Sequence, residues 1–428
     1  MYRSFLFIFL SMFFIACSTK QEVVSTSNKK VFEAEDTYIM YALRAEQVQS
    51  YKTAAELFAQ LYDKSQKKEY FYRSLQDSYL AKDFEQVIST VDRYTQEPLQ
   101  DRKLARLKIA SLAESGKTEE AKTLSIALAK ETKEPEDYVL TADIYIKKHQ
   151  YDEALQYLES VYAKNHNEKI LDKISIILYV NLSRKKDAIA ELETYTRVHG
   201  CTKVICERLI GIYSNENDID GLLSVYKRKY AQAKESEIAK KIIQIYGYRR
   251  DYVHLMNFLE ESNEDDELLL QLYLSAKDFK KASVLADTFY KQEGVIDYLG
   301  QSAIYEYEAH KEKLDKKILN DVVTKLEKVV AENSDTLYKN YLGYILIDHN
   351  LNVKKGMKYI KEVLKVKPDS GYYLDSLAWG YYKLGQCKTA KKLMLKVKTL
   401  EGGDDPEVQS HIDQINKCLK IQRGKSSK

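Results

Sequence analysis

Proline is nearly missing from this chain: Pro98, Pro135, Pro368 and Pro406 are the only four in 428 residues, and glycine stops at fifteen. A proline inside a helix costs about 3 kcal/mol or more, so the long intervals between these four are open to helix. Strand-like alternation of any length is also absent, which excludes sheet architectures and leaves an all-α chain. Catalytic signatures are missing as well. The seven histidines form no H-E-x-x-H and no close pair suited to zinc, and no G-x-S-x-G occurs. Gly116-Lys117-Thr118 copies the end of a phosphate-binding loop, but Ser111 stands where its first glycine is needed and no strand precedes it. Residues 216–221, ENDIDG, copy the start of a calcium loop whose closing acid would be Lys227. Both stretches read as turns between helices. These absences predict no enzyme, no cofactor and no metal site. An excess of one charge is lacking too: 67 basic side chains face 64 acidic ones, a net charge of +3, with both signs interspersed. No footprint for nucleic acid stands out.

What is present begins at the N-terminus. Arg3 precedes an unbroken apolar stretch from Phe5 to Ile15, followed by Ala16-Cys17. That run is shorter than the roughly 20 residues of a spanning helix and has the form of a signal-peptide core. Phe14-Ile15-Ala16-Cys17 resembles a bacterial lipobox, with Phe14 where leucine is usual. The resemblance implies cleavage after residue 16 and lipidation of Cys17, and Ser18 is compatible with sorting to the outer membrane. Residues 17–34 are polar without a sustained helical period and read as a tether.

From residue 35 the chain repeats itself. Tyr145, Tyr179 and Tyr213 are spaced by 34, Tyr246 follows after 33, and the small residues Ala121, Ala154 and Ala188 keep step. The clearest copy is YVLTADIYIKKHQYDEALQYLESV, residues 138–161, in which Ala142 and Ala154 let two helices approach while Tyr145, Tyr151 and Leu158 fill the space around them. Residues 374–390, LDSLAWGYYKLGQCKTA, form the same unit, with Ala378 and Ala390 as the contact and Gly385 at the turn. A period of 34 with this pattern resembles the tetratricopeptide repeat, a helix-turn-helix unit. The resemblance implies an α-solenoid (superhelix) of about eleven repeats over 35–402. Their second-helix small positions fall near Ala54, Val87, Ala121, Ala154, Ala188, Leu222, Leu255, Ala282, Val322, Gly356 and Ala390. Spacing becomes irregular near 263–335. Val408, Ile412, Ile415 and Leu419 share one face of a capping helix over 403–421, and residues 422–428 read as a disordered tail.

In this repeat the first helices line the inner surface, through side chains two, five, nine and twelve residues into each unit. For the last two repeats that implies a protein-binding patch of Asn340, Tyr344, Ile347, Tyr372, Asp375, Trp379 and Tyr382, which includes the one tryptophan of the protein. The basic and asparagine residues of a carboxylate clamp do not assemble, so capture of a free C-terminus is not expected. Residues 340–390 look like the C-terminal signature of outer-membrane tetratricopeptide lipoproteins of Gram-negative bacteria, with Ala378 where glycine is usual and Cys387 where an aromatic is usual. Some of those lipoproteins scaffold a periplasmic carboxyl-terminal processing protease and present its substrates. The resemblance therefore implies a lipid-anchored scaffold at the periplasmic face of the outer membrane, with a protease and envelope proteins as partners. The alternative is a scaffold of another envelope machine, such as outer-membrane assembly or a flagellar motor. Besides Cys17, the chain has Cys201, Cys206, Cys387 and Cys418. Export to an oxidising compartment favours pairing of Cys201 with Cys206 and Cys387 with Cys418; the alternative leaves all four reduced.

Overall fold

The computed structural model describes residues 30–95 and 97–426. Residues 1–29, on which the expected signal segment, Cys17 and most of the expected tether fall, lie outside the described residues. The described residues divide into two compact units that meet at 228/229, and both are built from antiparallel helix hairpins.

The first unit runs through hairpins such as Lys68–Leu80 with Phe84–Tyr94, Arg102–Glu114 with Thr118–Thr132, and Pro135–Lys147 with Tyr151–Asn165. Within each hairpin the helices pack on each other, and the first helices of successive hairpins also touch. Short polar residues begin many of the helices by accepting a hydrogen bond from a first-turn N–H: Asp83 from Gln86, Asp101 from Leu104, Thr202 from Ile205. The two alanines of the clearest repeat, Ala142 and Ala154, are fully buried, as are Leu158 and Leu192, each leucine contributing about 1.5–3 kcal/mol of apolar burial. Every turn between hairpin partners contains one residue in the left-handed region: Gln49, Lys82, Gly116, His149, Ser183 and Asn217, spaced by 33 or 34. The repeat is therefore written in the backbone as well as in the core.

One small position was misassigned. Leu222 is half-buried, and the close approach is made by its neighbour: a Cβ on Gly221 would stand 2.4 Å from the Tyr213 ring. Tyr213, one of the periodic aromatics, takes the space that glycine leaves.

In the second unit Ser236–Arg249 with Tyr252–Ser262 is followed by Asp266–Ser275 with Phe279–Glu293, Ile296–His310 with Lys316–Glu332, Thr336–Asp348 with Val353–Val366, and Gly371–Lys383 with Cys387–Val397. Left-handed turn residues occur at Arg250, Lys277, Asn350 and Gly385. The hairpin between Lys277 and Asn350 turns instead through a 3-10 segment, Lys311–Lys313. Gly343 and Gly356 form a close backbone contact between helices, since a Cβ on Gly356 would lie 2.5 Å from the Gly343 carbonyl oxygen. Ala378 and Ala390 are both fully buried.

The last helix spans Pro406–Ser426. It continues past 421, where the sequence reading ended it. No proline interrupts this stretch, and Lys417 and Lys420 are good helix formers in its C-terminal half. Gln422 Nε2 also donates to the Gly385 carbonyl at 2.8 Å. The structure joins Cys387 to Cys418, linking this helix to the hairpin before it, and joins Cys201 to Cys206. Among the described residues no helix is long and apolar enough to cross a membrane.

Candidate functional site

Four of the residues assigned to a binding patch come together in the second unit. Asn340, Tyr344, Tyr372 and Asp375 line a cavity of about 470 Å³. Tyr307 from Ile296–His310 and Tyr341 add to its walls, and Asp405, Glu407 and Val408 close one side from the start of the last helix and the loop before it. The loop can lie against Tyr372 because residue 402 is glycine: its φ is +82°, and a Cβ there would stand 2.8 Å from the tyrosine ring.

The cavity is aromatic and carries more carboxylates than lysines. Glu308, Asp375, Asp405 and Glu407 face it together with Lys311 and Lys367. Lys311 is committed to Glu308 at 2.7 Å, and the Tyr344 hydroxyl donates to the Glu407 carboxylate. Burial, reinforced by Glu308 and Glu407, pushes the Tyr341 phenol up to about 12. Tyr307 and Tyr344 shift the same way, again mainly by burial, with Asp348 the next cause in both. All three phenols thus remain neutral donors at physiological pH. Asn340 Oδ1 is buried and has no protein partner, which leaves an acceptor for an incoming N–H.

The other three assigned residues lie elsewhere. Ile347 is fully buried and Trp379 is 3% exposed, in one apolar cluster with Met357, Ile360 and Leu377. Trp379 Nε1 donates to Asp348 Oδ1 at 2.8 Å, its ring stacks on Tyr382, and its other neighbour is His411. Both positions are core: Ile347 packs into the space left by Gly356 and Gly380, and the last helix lies against Gly371–Lys383 and covers the face on which Trp379 stands. Asp375 reaches the cavity but is itself 7% exposed, with His411 Nδ1 at 3.0 Å from Oδ2. Tyr382 borders a different hollow along the last helix. The sequence reading missed Tyr307, Tyr341 and Glu407. Tyr307 is residue twelve of its helix and Glu407 residue two of the last one, so the positional rule used for the final repeats would have found both had it been extended to those helices.

Among the described residues no three His, Cys, Asp or Glu side chains gather as a metal site. No family model matches the chain. It is 21% identical over 322 residues to TPR repeat-containing protein MJ1428 of Methanocaldococcus jannaschii, a match that covers 68% of this chain and 56% of that protein. The chain thus spans about half the length of this relative. The fold is that of the tetratricopeptide repeat. Among solved structures, the Cut9 and Hcn1 assembly of APC/C is matched over 91% of this chain and 97% of the other, at 10% identity and a TM-score of 0.35. A tetratricopeptide repeat protein from Parabacteroides merdae is matched over 66% of this chain and 98% of its own, at 11% identity and a TM-score of 0.29.

Proposed function

We propose that this protein is a non-enzymatic, lipid-anchored adaptor at the periplasmic face of the outer membrane. It gathers a carboxyl-terminal processing protease and its cell-envelope substrates. The observation that carries protein binding is the tyrosine-lined cavity, with a neutral phenol donor at Tyr341 and an acceptor without a protein partner at Asn340 Oδ1. Such a wall suits a polypeptide segment, which brings both N–H and C=O groups. The anchor rests on the lipobox-like Phe14-Ile15-Ala16-Cys17. Two disulfides support an oxidising compartment.

The test is crosslinking and pull-down of the full chain from membranes of its native cells, beside Cys17→Ser and the cavity variant Asn340→Ala/Tyr344→Ala. The proposal expects a processing protease and cell-wall hydrolases with the wild type, loss of both with the cavity variant, and release of Cys17→Ser from the outer-membrane fraction. Recovery of assembly or flagellar components instead would favour the scaffold of another envelope machine. Retention of Cys17→Ser with normal processing would refute the lipid anchor.

A further inference from the structure

The charge of the whole chain conceals one strongly polarised surface. In the helix Val353–Val366, Lys354, Lys358, Lys361 and Lys365 follow one another at four, three and four residues, a spacing that places all of them on one side of the helix. All four are exposed, and none has a carboxylate partner within salt-bridge distance. They border a hollow of about 580 Å³ whose one acid, Glu362, is drawn toward Lys339 at 3.6 Å. The next outward helix, Cys387–Val397, repeats the arrangement: Lys388, Lys391 and Lys392 are exposed, and the helix contains no acid at all. Leu364 of the first helix and Leu393 of the second pack on the same apolar clusters, so the two helices that carry these lysines belong to one packed region. Lys361 also lies over the Tyr381 ring, and lysines clustered in this way, without carboxylate partners, create a positive surface that favours an anionic counter-surface.

Two features narrow the nature of that counter-charge. Every cation in these two helices is a lysine, a flexible point charge suited to a diffuse anionic surface, with no arginine fork for bidentate recognition of a single phosphate. Large aliphatic side chains also protrude among the lysines. Leu395, on the side of its helix that carries Lys388, Lys391 and Lys392, is 59% exposed, and Leu384, which lines the hollow, is 41% exposed. Cations interleaved with projecting leucines match a bilayer interface, where headgroups take the charge and the acyl boundary takes the leucines. A nucleic acid would use the lysines and leave the leucines in water.

We propose that the outer face of the last two hairpins docks on an anionic lipid surface, a second membrane contact independent of acylation at Cys17. Its test is co-sedimentation of the full chain bearing Cys17→Ser with vesicles of phosphatidylethanolamine containing phosphatidylglycerol, and with vesicles of phosphatidylcholine alone. Binding that prefers the anionic vesicles and weakens as salt rises is the expected result; the neutral vesicles register any contribution of the apolar N-terminal segment. Each lysine near such a surface strengthens binding about fivefold. The variant K354Q/K358Q/K361Q/K365Q should therefore lose about a hundredfold or more, whereas K240Q/K241Q/K277Q/K280Q, with the same change in net charge, should bind as before. Leu395→Ser should weaken binding without altering its salt dependence. Unchanged thermal melts establish that each variant is folded. Equal binding to both vesicle types, retention by the first lysine variant, or tighter binding to single-stranded RNA or polyglutamate than to the anionic vesicles would overturn the proposal. None of these outcomes depends on the adaptor reading, because no protease or envelope partner is present in the assay.

Discussion

Trp379 lies flat against His411, with ring centroids 3.9 Å apart and planes 18° from parallel. The histidine belongs to the last helix and the tryptophan to the final hairpin, so this stack joins the end of the chain to the repeat before it. Asp375 meets the same imidazole one turn earlier, and the Trp379 indole N–H is satisfied by Asp348. The ring is thus packed on its face and hydrogen-bonded at its edge, the condition under which a buried tryptophan contributes most.

Trp379→Ala should accordingly act on stability. Truncation of a large buried aromatic costs about 3–5 kcal/mol, and here it would also strip Asp348 of a donor. Denaturant unfolding of the purified protein measures the loss. A variant that melts like the wild type while losing partner binding would return the tryptophan to an exposed groove.

The bond between Cys387 and Cys418 spans 31 residues, and that between Cys201 and Cys206 only five. Closing the longer loop removes more freedom from the unfolded chain, so Cys387→Ser/Cys418→Ser should lower stability by about 2–4 kcal/mol and by more than the corresponding change at Cys201 and Cys206. As the only tryptophan, Trp379 reports the event: its fluorescence should change at lower denaturant in the first variant than in the second. Four reactive thiols on unreduced, denatured protein would contradict both bonds.

What could be read from the sequence follows from how far each determinant extends along the chain. The helix pairs were legible because a close contact such as Ala142 with Ala154 is decided within one hairpin, and the demand for small residues recurs with the 34-residue period. The fate of Trp379 was not, because its exposure depends on His411, which lies 32 positions later in a helix outside the repeat pattern. The positional rule states which side of a helix a residue occupies and says nothing of what covers that side. Part of the cavity was still found, since Asn340, Tyr344, Tyr372 and Asp375 sit where the last helix reaches their surface only at its first turns. Gly221 escaped notice because it stands one residue away from the periodic position.

The hairpin turns are a place where stability can be raised. Lys82 and Lys277 hold φ at 63° and 56°, a region that costs a residue with a Cβ about 1–2 kcal/mol and glycine very little. Glycine gives back about 0.5–1 kcal/mol through the freedom it adds to the unfolded chain. Lys82→Gly and Lys277→Gly should each stabilise by about 0.5–1 kcal/mol, and Gly116→Lys, at the equivalent turn, should do the reverse. Thermal melts of the three single variants at one pH decide this, and destabilisation by Lys82→Gly would argue against the left-handed turn.

Asp77 sets a pH dependence of unusual sign. It is 2% exposed, and its Oδ2 has no hydrogen-bond partner. Burial, then the nearby Glu46 carboxylate, raise its pKa to about 7, against a smaller opposing pull from Arg73, which is itself hydrogen-bonded to Glu46. In the unfolded chain the group titrates near 3.9. Between roughly pH 4 and 7 the folded protein therefore binds the extra proton, and the slope of unfolding free energy with pH is negative. The contribution of Asp77 is fully present below about pH 4, declines as pH rises through 7, and is absent above it. Asp77→Asn carries no charge at any of these values and can donate to Glu46, so it should stabilise the protein at pH 8 by about 1–3 kcal/mol, the usual cost of an unsatisfied buried polar group. At pH 4 the two proteins should differ little. Urea unfolding of both from pH 4 to 8 gives the comparison, and a gap that is constant with pH would show that Asp77 is ionised in the folded state throughout.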